Sequence, residues 1–256
     1  MIIACYGFLR RLLPVFHDDE DETYVWAVMA SVLYAVHPVH VESVVWLFAR
    51  KEPLLGVFSF LSLWAFLEGR LGSWHYYVLS IAALVLAAIA KPTAFVIPAV
   101  MFVLDIAIQM RLKEPGFWKR RLVVYLVMLA VVVPMSYRLV SMMLDIGGVK
   151  PYHGGSFWTN LLAVSQIFIG YIKLIGFTVN YSADYPIRLY ADLSAWQAWV
   201  YAGINLCLIA SAVFALVKRR HVYAFFVAWY YIFLVPVAHF FPISQIMADR
   251  YALLPS

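Results

Sequence analysis

Charge is scarce in this chain of 256 residues: Asp, Glu, Lys and Arg make up 13%, about half the share of an ordinary soluble domain. Apolar residues reach 65% and the mean hydropathy is +0.84, which excludes a water-soluble globule. Cysteine is nearly absent. Cys5 and Cys207 both sit inside apolar runs, so a disulfide framework and a cysteine metal site are excluded. Glycine loops of the Walker or dinucleotide type are missing, which argues against a nucleotide-driven pump or a soluble nucleotide-sugar enzyme. Strand alternation, internal repeats, low-complexity tracts and a soluble domain are missing too, so a membrane β-barrel is not expected. The opening MIIACYGFLRRLL is apolar before it is basic and lacks a small-residue cleavage site. It reads as the tail of a transmembrane helix, not as a signal peptide.

What the chain does contain is apolar stretches separated by charge, proline and glycine. A helix needs about 20 apolar residues to cross a core of about 30 Å. The stretches fall near 1–16, 24–37, 53–69, 74–90, 93–110, 122–144, 196–217 and 222–240. The expected fold is therefore all-α, a polytopic membrane protein of about eight transmembrane helices. Nine Trp and 17 Tyr suit aromatic belts at the two headgroup levels. The densest basic clusters, in 111–121 and 216–221, belong in the cytoplasm by the positive-inside rule, and Arg10, Arg11 and Arg70 then fall on the same side. The net charge of +5 consequently reports topology, and no nucleic acid is expected as partner. The acidic run 17–22 reads as a solvated cytoplasmic turn. Residues 157–177 are apolar enough for another crossing, but that would move Lys218, Arg219 and Arg220 outside. Segment 145–195 is thus expected to be one long outer segment carrying an interfacial or re-entrant helix, with turns at Gly147-Gly148 and Gly154-Gly155.

This topology puts HPVHVES (37–43), ARKE (49–52), AKP (90–92), NYSADYP (180–186) and ADRYALLPS (248–256) on the extracytoplasmic side, although none of them was used to derive it. A polar outer cavity is the inference. Pro38 should end the second crossing at His37 and start a short helix. Val41, Val44, Val45 and Phe48 recur at helical spacing, leaving His40 and Ser43 on another face, as in an interfacial helix lying flat over 39–49. The alternative is a kinked helix whose histidines satisfy carbonyls. A metal site of His37, His40 and Glu42 is disfavoured because the proline breaks their common face, so no metal ligand is assigned. Arg50, Lys51, Lys91, Arg138, Lys150, Lys173, Arg188 and Arg250 are the cations this topology leaves outside, against the usual trend. A bound anion accounts for several; snorkelling to headgroups is the bland reading for each alone. Tyr181, Tyr185 and Tyr190 read as belt residues, and Asn180-Tyr181-Ser182 matches a glycosylation acceptor.

HPVHVESVVWLFARKEPLLGVFSFLSLWAF resembles the signature of the transmembrane-and-tetratricopeptide-repeat proteins and of similar bacterial membrane proteins. The likeness continues through LAAIAKPTAFVIPAVMFVLD, YIKLIGFTVNYSADYP and ADRYALLPS, from about residue 24 to the end. These families belong to the GT-C class of integral-membrane glycosyltransferases. The resemblance implies transfer of a sugar, mannose in the O-mannosylating animal relatives, from a polyprenyl-phosphate donor to a protein or glycan acceptor in an extracytoplasmic cavity. It implies membrane lipids as surroundings, a bacterial cytoplasmic membrane (the endoplasmic reticulum if eukaryotic), and no certain cofactor, with any divalent-cation requirement open. Arg50, Lys51, Lys91 and Arg250 are then candidates for the donor phosphate. Glu42 and Glu52 are candidate catalytic carboxylates. His37, His40, Asp184, Tyr185, Asp249 and Tyr251 are candidate cavity-lining residues. Asp249 and Arg250 are also adjacent enough for a local ion pair. The family's usual acid lies in the loop after the first helix. Against that layout, residues 1–256 read as a partial domain lacking the first helix with its loop, the C-terminal helices and the repeats. Asp18 and Asp19 cannot replace that acid from the cytoplasmic side. A transporter or lipid flippase and a non-catalytic membrane scaffold are the competing functions.

Overall fold

In the computed structural model, the structure describes residues 1–113, 117–145, 151–177, 181–182, 185, 187, 193–240 and 245–256. These residues are helical with short connections, and no strand occurs among them. The helices are α1 (Ile2–Phe16), α2 (Glu20–Val36), α3 (Val41–Val45), α4 (Lys51–Leu71), α5 (His75–Ala90), α6 (Ile97–Leu112), α7 (Phe117–Asp145), α8 (Phe157–Phe177), α9 (Trp196–Val217) and α10 (His221–Leu234). Leu47–Leu71, Pro92–Leu112, Arg121–Arg138, Phe157–Phe177 and Trp196–Val217 are each long and apolar enough to cross a membrane. Glu20–Val36 with Pro38–Val45 is a sixth if the broken pair counts as one span, while His75–Ala90 and His221–Val237 are shorter apolar helices. Among the described residues the fold is thus all-helical, with helix lengths and apolarity that suit a membrane protein.

Two compact units are present, one of residues Met1–His37 and Ser43–Arg138, the other of Pro38–Glu42 and Leu139–Ser256. In the first, α4 is central: it packs against α1, α5 and α6, and α1 pairs with α2. Small and hydroxylated residues let α4 and α5 approach closely, which is how helices adhere when lipid offers no hydrophobic contrast. Ser62 Oγ donates to the Ser80 carbonyl and Ser80 Oγ to the Ser62 carbonyl, both at 2.8 Å. Gly69 lies under the Tyr77 ring, where an added Cβ would sit 3.0 Å from ring carbons. Phe60 completes the layer, 6.2 Å from the Phe8 ring and 5.8 Å edge-on from Tyr34.

The acidic run is more ordered than a solvated turn. Asp19 caps α2 by accepting from the Glu22 N–H at 3.0 Å, and Glu20, Asp21 and Glu22 fill its first turn. Negative charge at a helix N-terminus faces the positive end of the backbone dipoles, so here the run begins a helix.

In the second unit, α8 is the core. Val164, Ile167, Phe168, Tyr171 and Leu174 form a buried layer with Val39, Leu234, Met247 and Ala252. Contacts fix the directions of the helices. Tyr230 Oη donates to the Phe168 carbonyl and Asn160 Nδ2 to the His239 carbonyl at 2.8 Å, so α10 runs antiparallel to α8. Ala198 at the start of α9 packs on Leu162 near the start of α8. α9 therefore starts at the end of the unit at which α8 starts. α9 and α10 form a hairpin, joined by Tyr231 Oη donating to Asn205 Oδ1 at 2.8 Å.

Helix α2 stops at Val36, and His37 is extended ahead of a 3₁₀ turn, Pro38–His40. The single flat helix expected over 39–49 is instead two pieces. Trp46 is extended (φ −79°, ψ 115°) and separates α3 from a 3₁₀ turn, Leu47–Ala49. The expected polarity survives this break: Val41, Val44, Val45 and Phe48 are exposed, whereas His40 and Ser43 are buried.

Candidate functional site

In the second unit, the apolar layer brings the polar motifs together. Val39 is wholly buried beside Ala252 in this layer, so the turn Pro38–His40 packs against the 3₁₀ turn Asp249–Ala252. Glu42, in the first turn of α3, then meets Arg250. Its Oε2 accepts from the Arg250 N–H at 2.9 Å and its Oε1 from Nη1. Arg250 Nη2 donates to Gln245 Oε1 and to Tyr251 Oη, and the guanidinium lies 4.8 Å from the centre of the Tyr251 ring. The side chains of Arg250 and Glu42 are 11% and 20% exposed, so the pair is reached from water only at its edge. Burial works against the Arg250 charge, but Tyr251 and Glu42 more than offset it, and its pKa is raised.

Asp249, the neighbouring residue, is buried and accepts from Tyr185 Oη. The Ser182 N–H donates to the same Tyr185 oxygen at 2.9 Å. Burial pushes the Asp249 carboxyl above its ordinary pKa, aided by the charge of Glu42 and opposed by Tyr185 and Arg250. Burial likewise raises Tyr185, and its hydrogen bond to Asp249 adds to the effect. Tyr171 braces the turn from α8: its hydroxyl donates to the Ala248 carbonyl and accepts from the Ala248 N–H, both at 3.2 Å. His40 Nε2 and Ser256 Oγ are hydrogen-bonded at 2.8 Å. Tyr185 is therefore half-buried against Asp249, and Asp249 partners it while Glu42 partners Arg250. Asp184, Asn180, Tyr190, Lys150, Arg188 and Gly147-Gly148 lie outside the described residues.

In the first unit, Glu52 in the first turn of α4 is 2% exposed and accepts from Lys91 Nζ at 2.6 Å. Each end of this bridge suits its helix. Glu52 faces the positive end of α4, and Lys91 follows the last turn of α5, where its N–H caps the Ala87 carbonyl at 2.9 Å. Arg50 and Lys51 are exposed and His37 is half-buried. Of the candidates, then, Glu42 is joined to Arg250 and Glu52 to Lys91. Each carboxylate thus has a cation as direct partner, and both Glu42 oxygens are already used in holding Arg250.

No protein-family model matches the chain, and no curated protein or solved structure matches it.

Two polar clusters escaped the sequence reading. In the first unit, Asp105 of α6 accepts from Arg70 Nε at 2.9 Å and from Tyr125 Oη at 2.8 Å, with Arg121 Nε at 4.0 Å. The Arg70 and Asp105 side chains are each 1% exposed. Arg70 is thus a buried partner, not a loop cation, and the signal was available: one acid in the apolar run 97–108. In the second unit, His153 Nε2 and His239 Nδ1 approach to 3.3 Å. Burial lowers the pKa of both, that of His239 to about 4 with a further push from His153. No local pattern links residues 86 apart, so this pair was invisible in the sequence.

Proposed function

We propose that the chain is a GT-C-like glycosyltransferase module of about eight transmembrane helices, with α8 re-entrant. It transfers a sugar from a polyprenyl-phosphate donor to a protein or glycan acceptor at the extracytoplasmic face. Resemblance of the motif blocks motivates the reading. The observation that supports it best is the convergence of Glu42, Tyr185, Asp249 and Arg250, from three distant motifs, at one half-buried site. Attack by an acceptor hydroxyl forms a bond to the anomeric carbon and breaks the bond from that carbon to the donor phosphate oxygen. The polyprenyl phosphate leaves, and the acceptor proton passes to a carboxylate. Arg250 is the phosphate ligand at this site. Because Glu42 uses both oxygens on Arg250, its role becomes to orient the guanidinium. Asp249, whose raised pKa favours holding a proton, is the stronger candidate for the acceptor proton, with Tyr185 orienting it. Glu52, held by Lys91, is proposed as the orienter of that cation. Arg50, Lys51 and Lys91 are further proposed phosphate ligands, tested in the same way.

The test is release of labelled sugar from a polyprenyl-phosphate donor by the protein in proteoliposomes. Arg250→Gln should weaken donor use, and Asp249→Asn should lower turnover with little change in donor affinity. Absence of transfer by the unsubstituted protein with mannosyl and other hexosyl donors would end the enzyme reading. The transport alternative has less support: Asp105, the acid buried within α6, is already bonded to Arg70 and Tyr125.

A further inference from the structure

The ends of α8 and α10 meet at two histidines whose geometry neither helix packing nor the proposed reaction requires. His153 lies in the 3₁₀ turn His153–Gly155 ahead of α8, and His239 follows α10. One buried side chain holds both backbones. Asn160 Oδ1 accepts from the His153 N–H at 3.3 Å while Asn160 Nδ2 donates to the His239 carbonyl at 2.8 Å. Thr159 Oγ1 adds a bond to the His153 carbonyl at 3.0 Å. His239 is held at φ +65°, a left-handed backbone that is uncommon for residues other than glycine. The two rings are thereby presented to each other by fixed main chain.

Their ring nitrogens are equally constrained. His239 Nε2 bonds the Gln245 carbonyl at 2.9 Å. A carbonyl only accepts, so Nε2 carries the proton and Nδ1 presents a lone pair to His153 Nε2. This is the outer hydrogen bond that usually orients a metal-bound histidine. The nitrogen separation of 3.3 Å is that of a hydrogen bond between the rings, and a bound ion takes the place of its proton. It matches the edge of a tetrahedron whose ligands sit at about 2.0–2.1 Å from a central ion, which is about 3.3–3.4 Å. His239 is 1% exposed and His153 half-buried, so one ligand is anchored in the core while the other leaves a path to water. Among the described residues no third His, Cys, Asp or Glu joins them, which leaves positions for water or an exogenous ligand.

We propose that His153 and His239 form a binding site for a borderline divalent transition-metal ion, with Zn²⁺ the best match in ligand type and geometry. The ion ties the turn before α8 to the segment after α10. The site is independent of the sugar-transfer reading, and its test reads metal alone. Purified protein in detergent, stripped with chelator, is titrated with Zn²⁺ against a chromophoric competitor, and with Co²⁺ for the visible absorption of a nitrogen-ligated ion. The expected results are one Zn²⁺ per chain, a rise of the unfolding midpoint on adding Zn²⁺, and affinity at least about tenfold weaker in His153→Ala. His153 is the side chain of choice because its partial exposure lets the variant fold. His239→Gln, checked for folding by its unfolding transition without metal, should show the same loss. Absence of stoichiometric binding, or binding unchanged in His153→Ala, overturns the proposal, since the ion would then be held elsewhere.

Discussion

Neutralising Asp105 tests most directly whether the buried charges of the first unit act as one network. The carboxylate sits between Arg70, Arg121 and the Tyr125 hydroxyl, with Arg70 and Asp105 each 1% exposed. Asp105→Asn keeps the shape and an acceptor for Tyr125 but removes the negative charge, leaving Arg70 as a buried cation with Arg121 nearby. Breaking such a pair costs about 3–5 kcal/mol, because the surviving charge keeps its desolvation penalty without its compensation. Arg70 also donates to Gln109 Oε1 at 3.4 Å, too long a bond to replace the carboxylate. For a chain of this size such a loss corresponds to a fall in unfolding midpoint of roughly 6–20 °C. Thermal unfolding of the protein in detergent, followed by circular dichroism, measures it. The double variant Arg70→Met/Asp105→Leu, which removes both charges, should recover most of the stability, since apolar replacement of a buried pair is often neutral or better. A loss under about 1 kcal/mol in Asp105→Asn, or a double variant less stable than the single one, would refute the reasoning.

Gly69→Ala should destabilise by about 1–3 kcal/mol in the same assay, because its Cβ would meet the Tyr77 ring at 3.0 Å; Gly7→Ala, which meets nothing within 4 Å, is the control. Asn205→Leu removes the donor to the Ser165 carbonyl and the acceptor of Tyr231, and should cost about 1–2 kcal/mol, with Tyr231→Phe recovering part of it in a double-variant cycle. The pKa of Asp249 is raised on folding, so its stabilising contribution is present below the unfolded value near about 3.9 and is lost as pH rises through the folded value. At pH 7 Asp249→Asn should therefore be the more stable protein, with an advantage that shrinks as the pH is lowered; equal stability at both pH values would contradict this. Cysteines introduced at exposed Lys113 and Arg219, in a background lacking Cys5 and Cys207, should label from the same face of intact vesicles. Labelling from opposite faces would overturn the topology derived from the basic clusters.

Helix existence was legible in the residues because hydrophobic length is a one-dimensional property: each apolar stretch read from the chain corresponds to a described helix. The break at Pro38 was legible for the same local reason, a missing donor and a restricted preceding residue. Trp46 was not, since no local rule requires an extended residue there and the break in 39–49 depends on how the flanking turns pack. The exposure of Val41, Val44, Val45 and Phe48 followed from periodicity. The partners of the charged residues did not, because a charge pattern along the chain carries no distance across it. Asp249 beside Arg250 looked like a local pair, whereas the guanidinium turns to Glu42, 208 residues away in sequence, and the carboxylate to Tyr185.

By itself, then, the order of residues determined helices with apolar lengths suited to a bilayer, the break at Pro38, and which faces are polar. These depend on backbone chemistry and on transfer of side chains from water, both set by near neighbours. Only the tertiary structure decided that Glu42 holds Arg250, that Glu52 holds Lys91, that Asp105 gathers Arg70 and Tyr125, and that Asn160 aligns His153 with His239. Such pairings arise because a buried polar group must find a partner wherever packing brings one, and packing joins residues that the chain keeps far apart.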